Sequence, residues 1–166
     1  PIYAWWSTPA VKVPDLWKDF VTNLVAGTRL AVFLPVSSTT LRISSGGYAL
    51  LVVASFVIWL LGGMAREGFP GTINPGALTV GLAQIPIVLL FCVVAAGVLR
   101  QPAHALGFAL LMVATDPLFE LAAVLVYHLS QIEWLAEYAL FMNQLFLLWA
   151  LVVMLRVQVV ISGWQG

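Results

Sequence analysis

Between Tyr48 and Val160 the apolar residues gather into long runs with few polar interruptions. Each run is near the roughly 20 residues that cross a hydrocarbon core about 30 Å thick. The first extends from about Tyr48 to Met64 without a charge, and Gly62, Gly63 and the loop from Arg66 to Gly71 close it. The second, about Ala77 to Leu99, follows the turn signal Asn74, Pro75, Gly76 and contains Pro86, where a kink is expected. The third, about Ala103 to Leu129, is interrupted by Asp116, Pro117 and Glu120, so it is either one kinked helix or two half-helices. The fourth, about Leu135 to Leu155 or a little beyond, contains Asn143 and Gln144 and ends near Arg156. The expected fold is therefore an all-α integral membrane domain of four transmembrane helices over residues 48–160, with a short tail at 161–166.

Ahead of these spans the period changes. From Asp15 to Leu34 the polar residues Asp15, Lys18, Asp19, Thr22 and Arg29 recur at helical spacing, while Leu16, Phe20, Leu24, Ala31 and Leu34 mark an apolar face. That pattern predicts an amphipathic helix in the interface plane, ended by Pro35. A connector rich in serine, threonine and glycine completes the segment 15–47. Residues 1–14, with Pro1, Pro9 and Pro14 among Tyr3, Trp5 and Trp6, read as an interfacial arm.

Composition agrees with the pattern. Of the 166 residues 62% are hydrophobic and 8% charged, where soluble domains carry about 25% charged residues. Formal net charge is zero and no basic block exists, which excludes the electrostatic footprint of a nucleic-acid binder. Cys92, the only cysteine, leaves no internal disulfide and no cysteine metal cluster, and inside an apolar run it reads as a small hydrophobe. With four spans, Lys12, Lys18, Arg29, Arg42, Arg100 and Arg156 fall on one side and Arg66 alone on the other. Six against one places both termini in the cytoplasm, as expected for a bacterial inner membrane. A re-entrant third stretch would move Arg156 across and weaken the count to five against two.

Asp116 and Glu120 are the sharpest chemical feature, one helical turn apart near the middle of an apolar stretch. Each costs roughly 2.5 to 3.5 kcal/mol to insert, while each large apolar residue returns roughly 0.3 to 0.6. The third span should then need its neighbours. Buried acids in membranes mark proton or ion paths. The structural alternative is a polar cluster in which they bond to Thr115, Gln84, Asn143 or Gln144, or cap the halves of a helix broken at Pro117. His104 and His128 stand 24 residues apart on the same stretch, about 36 Å if helical, too far to share a metal. No Gly-rich phosphate loop, His-Glu-x-x-His zinc motif or Gly-x-Ser-x-Gly elbow is present. The seven tryptophans read mainly as an aromatic belt rather than as quinone or pigment contacts. No catalytic residue, metal or cofactor is thus assigned, although bound lipid is compatible with the layout. The small-residue runs Gly62, Gly63 and Ala95, Ala96, Gly97 are expected to permit close helix packing.

The stretch Asn23 to Val36, the Ile73, Asn74, Pro75, Gly76 turn and the Asp116, Pro117, Leu118, Phe119, Glu120 break together resemble a bacterial membrane region. In that group a Yip-like region precedes a legumain-type cysteine peptidase domain. The resemblance covers roughly residues 20–160 and implies a role in membrane organisation or anchoring. It carries no catalysis to this chain, because Cys92 is separated from both histidines and cannot supply the peptidase pair. The resulting expectation is a non-catalytic scaffold, anchor or accessory subunit whose partners are lipids and other membrane subunits. The alternative is a small proton- or ion-coupled transport protein using Asp116 and Glu120.

Overall fold

The protein is seen here as a computed structural model that describes residues 13–68, 75–98, 100–101 and 104–163. Most of the expected interfacial arm, the Ile73–Asn74 part of the turn and residues 164–166 lie outside the described residues. Five α-helices account for the fold, with no strand among the described residues. They are α1 (Val13–Ala31), α2 (Ser45–Glu67), α3 (Pro75–Val98), α4 (Ala105–Ser130) and α5 (Ala139–Ser162), with short 3-10 turns at Ser38–Thr40 and Ala136–Tyr138. The last four are each long and apolar enough to cross a membrane. The chain is an all-α polytopic membrane protein.

The third apolar stretch is one continuous helix through Pro117, not two half-helices. Proline cannot donate to the carbonyl four residues back. That carbonyl belongs to Val113, and the Ser55 hydroxyl of α2 donates to it at 3.1 Å. A neighbouring helix thus supplies the donor that the kink removes, which allows the helix to continue in lipid. The fourth span runs a little beyond Leu155, as α5 continues to Ser162 with Arg156 inside it.

Packing centres on the first half of α4, where Gly107 to Leu111, Val113 to Thr115 and Pro117 are buried. Ile43, Gly107 and Ile161 approach one another where α2 and α4 begin and α5 ends. Against this end of α4 lie Cys92 and Ala96 of α3 and Val153, Val157 and Ile161 of α5. Cys92 is a buried apolar contact, as its sequence context suggests.

The amphipathic helix joins the protein core. Leu16 faces Gly46 of α2, Gly27 stands against the backbone of Ala114 on α4, and Leu30 and Ala31 reach Arg156 and Trp149 on α5. α1 therefore crosses three spans, and the second half of its apolar face (Ala26, Leu30, Ala31) seats on protein. Asn23, completely buried, fixes the return of the chain by bonding both the N–H and the carbonyl of Arg42. Asp19 pairs with Arg42 at 3.3 Å and accepts from Ser44.

The expected helix end at Leu34 is corrected to Ala31. Phe33 takes a left-handed conformation (φ 64°), Phe33 N–H donates to Leu30 and Leu34 N–H to Arg29, which is a Schellman stop. Pro35 then forbids a further turn. Terminal helix carbonyls need outside donors. Arg156 donates to Leu30 at 3.0 Å and Leu34 at 3.3 Å, and Trp149 to Ala31 at 2.8 Å. The Arg156 charge also suits the negative end of the helix and lies over the Phe33 ring at 5.3 Å.

Candidate functional site: an intramembrane cavity

α3 packs on the first half of α4 through Cys92 and Ala96, beyond Pro86. On the other side of Pro86, Gly81, Gln84 and Ile85 line a cavity of about 380 Å³ instead. α2 contributes Tyr48, Val52, Ser55, Phe56 and Trp59, α4 contributes Met112 to Ala123 positions including Asp116, Phe119 and Glu120, and α5 contributes Phe146, Ala150 and Met154. Gly81 is needed where α3 meets α2, since a methyl there would meet the Trp59 ring at 2.8 Å. The walls are aromatic and aliphatic. Both acids come from one face of α4, as helical spacing requires of residues four apart, while Tyr48 and Ser55 of α2 and Gln84 of α3 add polar groups from other walls.

The two acids have different surroundings. Glu120 forms an ion pair with Arg66 of α2 at 2.8 Å, with side-chain exposures of 16% and 27%. Gly62, one turn before Arg66, makes room for it: a methyl on Gly62 would stand 2.9 Å from Glu120 Cγ. Arg66 was expected in the loop closing the first span. α2 instead continues to Glu67, and its last turn brings Arg66 onto the Gly62 face. Asp116 lines the cavity, and no basic side chain pairs with it among the described residues. Tyr48 Oη, on the wall of the same cavity, is buried without a hydrogen-bond partner.

The expected polar cluster is assembled only in part. Asp116, Glu120, Thr115 and Gln84 line one cavity. Thr115 bonds back to Met112 of its own helix at 2.7 Å rather than to an acid. Asn143 and Gln144 are exposed on α5 and do not line the cavity. Pro117 does not separate capped halves, so Asp116 is no N-cap. His104 and His128 stand at the two ends of α4, and no three histidine, cysteine or acidic side chains among the described residues could hold a metal. Of the small-residue runs, Gly62 and Ala96 are packed, whereas Gly63 and Gly97 face open space. Sequence reasoning missed Arg66, Tyr48 and Ser55; the Gly62–Arg66 spacing of four, ahead of an acidic span, was the signal available for the first.

Compared with known proteins, the chain matches no family model, no curated protein and no solved structure.

Proposed function

We propose that this chain is a non-catalytic polytopic membrane module of Yip-like kind, acting as a scaffold, anchor or accessory subunit of a larger assembly in a bacterial inner membrane, with both termini cytoplasmic. The observation that carries this reading is the use of polar groups within the spans. Glu120 is tied to Arg66, Ser55 to Val113, Trp149 to Ala31 and Arg156 to Leu30 and Leu34. Each ties a span to another helix or to the chain just beyond one. A proton or cation path needs ionisable or polar steps at successive depths; here Asn143 and Gln144, which could have continued one from the acids, face outward.

Two measurements test the proposal. Reconstituted in proteoliposomes, the protein should pass protons, Na+ and K+ no faster than empty vesicles. A flux abolished by Asp116→Asn with Glu120→Gln, in protein that remains folded, would establish the transport reading instead. Native mass spectrometry from mild detergent extracts of its own membrane should find the chain in stoichiometric complexes with other membrane subunits; a strictly monomeric chain would overturn the accessory role. For orientation, reporter fusions after Ser45, Pro70, Gln101, Ile132 and Gly166 should alternate, beginning and ending cytoplasmic.

A further inference from the structure

The cavity has chemistry that the scaffold reading does not use. It is lined by two carboxylates and adjoins one guanidinium, and the guanidinium is engaged with Glu120. Asp116 is left facing a mostly apolar space without a counter-charge among the described residues. A carboxyl group out of water either keeps its proton or is held ionised by a paired cation, and an amine that takes the Asp116 proton becomes that cation. Tyr48 Oη, buried and without a hydrogen bond, offers a second oxygen on the same wall. Phe56, Trp59 and Phe119 add aromatic rings to the lining, a residue type that attracts cations. A volume of about 380 Å³ falls within the range of small-molecule pockets. The surrounding solvent is lipid, so an occupant reaching it from the membrane must itself be apolar over most of its length.

We propose that the cavity between α2, α3, α4 and α5 binds a hydrophobic amine drawn from the membrane, its ammonium group paired with Asp116 and its apolar body against Phe56, Trp59 and Phe119. The cation class follows from the unbalanced acid. A hydrophobic alcohol could hydrogen-bond to the same oxygens but cannot take the acid's proton to form an ion pair, and a fatty acid would add a third carboxyl group. The proposal goes beyond the scaffold reading and does not depend on it, since an accessory subunit and a monomer could equally hold such a ligand.

Isothermal titration of the full chain in lipid nanodiscs, with empty nanodiscs subtracted, distinguishes these cases using decylamine, decanol and decanoate as probes. Saturable one-site binding of decylamine is expected, at least tenfold tighter than decanol, with no detectable decanoate binding. Asp116→Asn should weaken decylamine at least tenfold and leave decanol within twofold, while Asp15→Asn, exposed on α1, should change neither. Ala150→Trp, which fills the pocket from α5, should abolish both. Equal affinity of wild-type protein for amine and alcohol would overturn the proposal even if Asp116→Asn does not fold, and so would amine binding that survives either Asp116→Asn or Ala150→Trp.

Discussion

α3 is more apolar than α4, on which it packs, yet only 6% of the positions in its most apolar stretch are buried against 33% in α4. The helix carrying two acids and a proline is the hub, and the helix without a charge is the periphery. In water the order would be reversed. In lipid an exposed Leu or Val loses nothing, so burial falls to residues that allow close approach or that need a polar partner. The buried positions of α3 follow this rule, being Gly81, Cys92 and Ala96, while Val80, Ile87, Leu90, Val94 and Val98 face outward. In α4 the small residues Gly107, Ala109, Ala114 and Thr115 are buried and let the neighbouring helices close over Phe108, Leu110, Leu111 and Val113 beside them.

If Glu120 ties α4 to α2, the largest loss should come from stripping its partner away. Arg66→Met leaves Glu120 against Gly62 with no counter-charge and should cost about 3 kcal/mol. Arg66→Met with Glu120→Met removes both charges and should recover most of that loss. Unfolding in mixed micelles titrated with dodecyl sulfate measures both. A single mutant as stable as wild type would mean that Glu120 is not what ties α2 to α4.

A smaller effect contrasts buried and open glycines. A methyl on Gly27 would stand 2.5 Å from the Ala114 carbonyl carbon, backbone that cannot swing aside. Gly27→Ala should therefore cost about 2 kcal/mol. Gly97 on α3 has nothing within 4 Å, so Gly97→Ala gains helix propensity and should stabilise by up to about 1 kcal/mol. Opposite signs at the two positions sharpen the hub and periphery distinction; equal signs break it.

These contrasts also explain what could be read from the sequence. Span positions were legible because length and apolarity alone define them, and Asp116 and Glu120 stood out because acids are rare in such runs. Rotation about each axis was not legible. α5 is apolar on all sides, so Asn143 and Gln144 could be placed in depth but not on a face, and they point away from the acids. Arg66 was misplaced by the two glycines at 62 and 63, which resemble a helix end in water, whereas here the helix continues and Gly62 admits the Glu120 side chain. The seating of α1 was hidden for another reason. Trp149 and Arg156 bond to its backbone carbonyls, and backbone carbonyls leave no mark in a sequence.

The smallest expected effect isolates why α4 stays whole at its centre. Pro117 deprives the Val113 carbonyl of its helical donor, and the Ser55 hydroxyl takes that place from α2. Ser55→Ala should cost about 0.6 kcal/mol, the usual worth of a hydrogen bond between membrane helices. That value alone would not separate the bond from a change in local packing. A double-mutant cycle does. Pro117→Ala restores an N–H that can reach Val113 within the helix, so the serine bond becomes redundant and Ser55→Ala should then cost close to nothing. Coupling near the full value of the single mutant, measured by the same micellar unfolding, would show that α2 carries a hydrogen bond on behalf of α4. A Ser55→Ala cost unchanged in the Pro117→Ala background would instead mean that the serine acts through packing alone, and that α4 crosses its proline without help from the neighbouring span.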